Sequence, residues 1–198
     1  MTSKKYGSRM SGRPKPRVLL LLVVALTAAA AFAVPSVAST GTATIAAGSL
    51  GFVSTPPNVS FSATLNGLDQ TVNATQALDV GDASGSGTGW NITATSTTFT
   101  TGGGSPHTLS NSATTVTSAP ADACDASATC TLATNSVTYP YTLPAAAVAP
   151  TATKLFNAAA STGMGNQTVT PTWKLAVPAN TFAGTYTSTW TLSLVSGP

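Results

Sequence analysis

The stretch from residue 184 to residue 198 alternates between two kinds of side chain, and this alternation constrains the fold more than any other feature. Successive side chains of a β-strand point to opposite faces of its sheet. One face would carry the mostly apolar set Tyr186, Ser188, Trp190, Leu192 and Leu194, and the other a row of hydroxyls, Thr185, Thr187, Thr189, Thr191 and Ser193. Such a strand is typical of an antiparallel sheet with one buried and one solvated face.

The centre of this strand, a Trp followed after one residue by a branched aliphatic, recurs at two other places. These are Trp90-Asn91-Ile92 and Trp173-Lys174-Leu175, and the three segments together hold every tryptophan of the chain. In each segment the Trp shares a strand face with the aliphatic residue. We therefore predict that the three rings contribute to the core, since burying an aromatic side chain stabilises a fold by about 1.5–3 kcal/mol.

The N-terminal region has the organisation of a secretory signal peptide. Six of the eight basic residues precede an apolar run over residues 18–33, and Ser36-Val37-Ala38 supplies the small residues of a cleavage site. The apolar run is shorter than the roughly 20 residues that a transmembrane helix needs. We predict a signal peptide over residues 1–38, a mature domain over residues 39–198, and no membrane association after cleavage.

Removal of the signal reverses the charge of the chain. The precursor has a formal net charge of +3, but the mature part keeps two lysines against five aspartates, which gives −3. Nucleic-acid binding depends on a cationic surface that this composition does not supply. We therefore expect no nucleic-acid partner.

The mature sequence predicts an all-β domain. It is rich in Thr, Ser, Val and Gly, lacks Glu, and divides into short alternating segments separated by Gly and Pro. We predict a single antiparallel β-sandwich or Greek-key barrel. Residues 59–65 are predicted to be an early strand, and residues 168–177 to form a hairpin with the last strand. Residues 154–160, which are rich in Ala, are predicted to form one or two helical turns.

The chemically reactive residues predict one disulfide and no other reactive site. Cys124 and Cys130 form a close pair in an exported chain, where cysteines are expected to be oxidised. His107 has no metal-ligating residue near it, and Asp79 and Asp82 lack the spacing of an EF-hand calcium loop. We therefore expect no catalytic residue, no metal and no cofactor.

The sequence resembles the WxL-domain surface cell wall-binding proteins of Gram-positive bacteria, in particular their actinobacterial branch. That family has a proximal Trp-x-Leu-like motif and a distal one that begins with Tyr and ends with Pro. Trp90-Asn91-Ile92 corresponds to the proximal motif, with Ile92 in place of Leu. Residues 186–198 correspond to the distal motif through Tyr186, Trp190, Leu192 and Pro198.

The resemblance implies a secreted, cell-wall-associated domain that attaches non-covalently to peptidoglycan or an associated wall glycan. The alternative is a structural or adhesive subunit that assembles with other cell-surface proteins. A wall hydrolase is a remote alternative, because glycosidases use two carboxylates and only five aspartates are present. The motif residues would act either in the core or as wall contacts. Trp173 and Tyr141 are secondary candidates, and Tyr141 and Tyr186 are candidate sugar contacts.

Overall fold

The computed structural model describes residues 37–198, so the predicted signal peptide lies almost entirely outside the described part of the chain. Residues 37–43 have no regular secondary structure. The compact unit Thr44–Pro198 consists of β-strands and turns, and contains no helix. In chain order the strands are β1 (Leu50–Phe52), β2 (Gln70–Thr75), β3 (Leu78–Asp82), β4 (Trp90–Thr97), β5 (Thr114–Val116), β6 (Ala121–Cys124), β7 (Tyr141–Thr142), β8 (Ala145–Ala146), β9 (Thr153–Ala158), β10 (Gly165–Thr170), β11 (Thr172–Val177) and β12 (Trp190–Ser196).

One sheet carries both the first and the last Trp-x-aliphatic segments and is organised around β4. The last strand, β12, lies antiparallel along one side of β4, from Trp190 opposite Ser96 to Ser196 opposite Trp90. On the other side of β4, β9 pairs antiparallel with its first part and the short β8 pairs parallel with its end. The two motifs therefore lie on neighbouring strands and direct their tryptophans to the same face, at opposite ends of the ladder.

The other two sheets share a segment of chain that is interrupted at Pro171. β10 is central in the sheet β1-β3-β10-β6, and β11 is central in the sheet β2-β11-β5-β7. Pro171 is fully buried and has no N–H to donate, so one ladder ends there and another begins. Its carbonyl accepts a hydrogen bond from the Gln76 backbone N–H at 3.2 Å. The strand predicted over residues 168–177 is thus two strands in two sheets.

The three sheets enclose one main core, and the prediction of an all-β fold is confirmed. Fully buried side chains come from every sheet and include Leu78, Val80, Trp90, Ile92, Val116, Leu155, Val169 and Trp173. The Trp90 indole donates to the Gly163 carbonyl at 2.8 Å, and the Trp173 indole donates to Gln76 Oε1 at 3.0 Å. Trp90 and Trp173 are therefore core residues whose polar atoms have partners, as buried tryptophans require.

Residue 163, in the turn before β10, is a glycine because the chain passes very close to Trp90 at this point. Gly163 has φ of 73°, and a Cβ at this position would lie 2.6 Å from Trp90 Nε1 and 2.4 Å from Ala158 Cβ. Only a residue without a side chain can bring its carbonyl to the indole here.

The predicted disulfide is present. Cys124, the last residue of β6, is joined to Cys130 and closes a short loop beside β10. The loop is held by a backbone hydrogen bond from the Thr131 N–H to the Met164 carbonyl at 2.9 Å. The cross-link therefore fixes the edge of the β1-β3-β10-β6 sheet.

Two predictions about the last third of the chain are wrong. The last strand does not form a hairpin with the one before it, because β12 pairs with β4 whereas β11 pairs with β2 and β5. Residues 154–160 do not form helical turns, because β9 is a strand that pairs with β4. Its residues Leu155 and Phe156 are buried in the core, and this tertiary burial outweighs the local helix propensity of the alanines.

Residues 59–65 also differ from the prediction. Their alternation does place Val59 and Phe61 against the core, but the segment belongs to no strand ladder. A period-two pattern reports which side chains face the core. It does not report whether another strand is available to pair with the backbone.

Trp90→Ala should lower the free energy of unfolding by about 3–5 kcal/mol, because it removes a fully buried ring. Trp190→Ala should lower the free energy of unfolding by a smaller amount, because that ring is only partly buried. Denaturant-induced unfolding followed by circular dichroism measures both values. Equal losses for the two variants would contradict this difference in burial.

Candidate binding grooves beside the last strand

An extended segment over residues 55–65, which we call the strap, crosses the surface between the last strand and β2. Two side chains of the neighbouring strand region hold it: Gln76 Nε2 donates to the Pro57 carbonyl at 2.8 Å, and Gln70 Nε2 donates to the Thr64 carbonyl at 2.8 Å. Gln76 is buried and also accepts the hydrogen bond from Trp173. Side chains thus replace the backbone ladder that a paired strand would have.

Two grooves lie along the strap. The motif groove, of about 730 Å³, lies between residues 55–60 of the strap and residues 186–192 of the distal motif. The Phe182 groove, of about 660 Å³, lies between residues 59–65 of the strap and the loop over residues 181–186. Val59, Ser60, Phe99 and Tyr186 line both grooves. No lining residue of either groove carries a charge.

Trp190 belongs partly to the core and partly to the motif groove. Its ring packs edge-on against the fully buried Trp173, with 4.8 Å between the ring centroids. Phe61 and Phe99 pack beside it with centroid separations of 6.4 and 6.3 Å. The two alternatives for Trp190, core residue or wall contact, therefore do not exclude each other, because the ring is packed against the core and lines the groove.

The Phe182 groove has an apolar floor and an aromatic side chain at its rim. The floor is a second hydrophobic cluster that includes Leu109, Leu175 and Val177. Phe182 is 61% exposed and stacks face to face on His107, with 3.8 Å between the ring centroids.

His107 has no metal-ligating residue near it in the sequence, and neither His107 nor Phe182 was predicted to contribute to a binding site. Phe182 is the only aromatic residue in the Pro-, Asn- and Gly-containing stretch over residues 178–184 that follows β11. Large apolar residues are uncommon in such turns, so the sequence alone contains a signal for Phe182 as a candidate binding residue.

A family model described as "WxL domain surface cell wall-binding" matches residues 39–198. The chain belongs to the WxL family. The resemblance read from the Trp-x-aliphatic segments is thereby confirmed, and the domain is of a cell wall-binding type. Neither the curated proteins nor the solved structures contained a match to this WxL chain.

The structure separates the two WxL motifs into different environments. In the proximal motif, Trp90 and Ile92 are fully buried and line neither groove. In the distal motif, Tyr186, Trp190 and Leu192 all line the motif groove. The proximal motif therefore supports the fold, whereas the distal motif combines packing with an accessible surface.

The end of the distal motif is held by polar contacts. The Asn91 side-chain amide donates to the Gly197 carbonyl, and the Gly197 N–H donates to the Gly89 carbonyl at 2.9 Å. Lys154 Nζ donates to the backbone oxygen of Pro198 at 2.9 Å. Pro198 lines neither groove, so its contacts in the WxL domain fasten the end of β12.

Tyr141 does not offer a surface to a sugar. It is buried in the main core, its hydroxyl donates to the Ala94 carbonyl at 3.3 Å, and it accepts from Thr153 Oγ1 at 3.1 Å. Burial raises the pKa of the Tyr141 phenol, and the Thr153 hydrogen bond lowers it in part. The suggestion that Tyr141 contacts wall sugars is therefore not supported by its position.

The aspartates considered for calcium do not lie in one site. Asp82 Oδ1 accepts hydrogen bonds from the Ser84 N–H at 3.0 Å and from Ser84 Oγ at 2.6 Å, which fixes the loop after β3. Asp79 instead lies near Asp125, whose Oδ1 accepts a hydrogen bond from Thr168 Oγ1 at 2.7 Å. Across residues 37–198, no group of three or more Asp, Glu, His or Cys residues could hold a metal ion.

The Asp79–Asp125 pair also differs from a glycosidase site. Carboxyls that flank a glycosidic bond are about 5 Å or more apart, which leaves space for the sugar or a water. Asp79 and Asp125 are close enough for the two carboxyls to interact directly, which does not leave such a space. Within the described residues, no helix is both long and apolar enough to cross a membrane.

The pKa of Asp79 lies above its ordinary value of 3.8, chiefly because of burial and then because of the nearby charge of Asp125. The folded WxL domain therefore binds this proton more tightly than the unfolded chain does. Its stability should fall as pH rises from about 3.8 through the raised pKa. Asp79→Asn should reduce this fall, as measured by thermal unfolding across that pH range.

The contribution of the interaction between Asp79 and Asp125 can be measured with a second variant, Asp125→Asn. In that background Asp79→Asn should have a smaller effect on the pH dependence, because the carboxyl–carboxyl contact is already gone. Burial also raises the pKa of Asp122, so the stability of the double variant should still fall to some extent as pH rises. An Asp79→Asn effect of the same size in both backgrounds would contradict the coupling.

Proposed function

We propose that the mature WxL domain attaches non-covalently to peptidoglycan and carries out no covalent chemistry. One observation carries this proposal: two uncharged grooves meet at Tyr186 of the distal motif, in a chain that belongs to a surface cell wall-binding family. The wall polymer would bind along the strap, where aromatic rings and hydroxyls are both accessible.

The chemistry of the grooves suits a saccharide better than an ion. A sugar ring has apolar C–H faces and hydroxyl edges, so it needs flat apolar surface beside hydrogen-bonding groups. The motif groove supplies Trp190 and Tyr186 as such surface, and Thr187, Ser188 and Thr189 as hydroxyls. Binding sites for small polar ligands commonly combine an apolar lining with a few placed polar groups.

Export is part of the proposal. The predicted signal peptide over residues 1–38 would direct the chain out of the cell, and the matched region begins at residue 39. The disulfide between Cys124 and Cys130 supports an oxidising, extracellular compartment. The mature domain would then reach the wall and attach to it non-covalently.

The mature domain should sediment with purified insoluble peptidoglycan. Because neither groove is charged, retention should change little between about 0.1 and 1 M salt, a range over which the Debye length falls from about 10 to 3 Å. Tyr186→Ala should reduce retention, since it removes the ring shared by both grooves. Tyr186→Phe should keep most of it, because the ring remains.

Val148→Ala is the matched control, because Val148 is exposed and lines neither groove. Failure of the unmodified domain to sediment at any salt concentration would contradict peptidoglycan attachment and would favour assembly through another surface protein. Clearing of a turbid peptidoglycan suspension by the domain would contradict the non-catalytic part of the proposal.

A further inference from the structure

Phe182 has an unusual position for a large aromatic side chain. It is the most exposed of the aromatic side chains that line either groove, and neither hydrophobic core cluster includes it. Exposing this much apolar surface has a cost in free energy that burial elsewhere would avoid. The ring is nevertheless presented at the rim of the Phe182 groove.

The ring is held in a defined orientation. His107 stacks on it with an angle of 9° between the ring planes, and Phe182 lines the groove whereas His107 does not. Tyr186 Oη donates to the Phe182 carbonyl at 2.9 Å. The support is therefore on the side away from the groove, and the backbone of Phe182 is fixed by the distal motif itself.

The supporting loops are also tied to each other. Thr100 and Thr187 exchange backbone hydrogen bonds of 3.0 and 2.9 Å, and the Thr101 N–H donates to the His107 carbonyl at 3.0 Å. The His107 N–H donates to Thr101 Oγ1 at 3.0 Å. These contacts fix both members of the stack before any ligand arrives, which lowers the entropic cost of binding.

The lining of the Phe182 groove selects a class of ligand. The floor is apolar, the rim carries the hydroxyls of Ser60, Ser62, Thr64, Thr181 and Thr185, and no charged residue contributes. An anionic wall polymer or a charged stem peptide would find no counter-charge in this groove. A neutral polysaccharide offers C–H faces for stacking on an aromatic ring and hydroxyls for the rim.

We propose that the Phe182 groove binds the neutral N-acetylated glycan backbone of the wall, with Phe182 as the stacking platform. His107 is a positioning residue that supports the ring from behind. This proposal rests on the proposed attachment to peptidoglycan, and it assigns the recognition to the sugar chain rather than to the peptides. It also places the main contact outside the WxL tryptophans.

Binding of the mature domain to two neutral, soluble or solubilised probes tests the assignment: N-acetylglucosamine oligomers, and stripped glycan strands, from which an amidase has removed the stem peptides and whose freed lactyl carboxylates have been capped as amides. Phe182→Ala should weaken binding to the stripped strands by about tenfold, equivalent to about 1.4 kcal/mol. Phe182→Trp should retain binding, because it keeps a flat ring. Leu132→Ala is the control, since Leu132 is 47% exposed and lines neither groove.

His107 is tested by substitution and rescue. His107→Ala should weaken binding by a smaller factor than Phe182→Ala, and His107→Phe should restore it, because the stack needs a ring rather than a basic nitrogen. Thermal unfolding of each variant checks that the fold is intact. Loss of binding by both His107 variants at an unchanged unfolding temperature would overturn the positioning role.

The outcomes separate this proposal from the general function. Equal binding of intact peptidoglycan by the unmodified domain and by Phe182→Ala would show that the Phe182 groove is not the binding site, and would not contradict wall attachment. Binding of intact peptidoglycan without binding of stripped strands would show that the domain does not recognise the glycan backbone. Binding of neither would contradict wall attachment itself. Self-association of the domain that Phe182→Ala abolishes would show that a second copy occupies the groove, and would overturn the proposal.

Discussion

The pairing of β12 with β4 is the interaction on which the rest of the structure depends. It sets the proximal and distal motifs side by side in register, with Trp190 opposite Ser96 and Trp90 opposite Ser196. One end of the ladder buries Trp90 completely, while the other end leaves Trp190 on top of Trp173. A shift of β12 by one residue would turn its side chains, Trp190 among them, to the opposite face. The register therefore determines both the core and the groove.

The distal motif combines packing against the core with an accessible surface, and the strap beside it does not form a strand. The strap instead packs through Val59 and Phe61 and is held by Gln70 and Gln76. Two grooves remain, and their lining of rings and hydroxyls without charge fits a neutral wall glycan better than an ionic polymer.

Local patterns in the sequence predicted the fold class, the disulfide and the alternation of the last strand, because each depends on neighbouring residues or on a chain-wide composition. The partners of the strands were not predictable in the same way. The expected hairpin is absent because β12 pairs with β4. The expected helical turns are absent because β9 also pairs with β4. Phe182 and His107 lie far apart in sequence, and only the tertiary fold brings their rings together.

Nuclear magnetic resonance of the isotopically labelled mature domain, titrated with peptide-free glycan strands whose lactyl carboxylates are capped as amides, tests whether a neutral wall glycan binds beside the strap. The backbone amides with the largest chemical-shift changes should lie along the strap, in the loop over residues 181–186 and at the start of β12. The strands β1, β3 and β6, on a different sheet, should remain unchanged. Changes concentrated on that sheet, with none around Phe182 and Tyr186, would contradict binding of the glycan at the Phe182 groove.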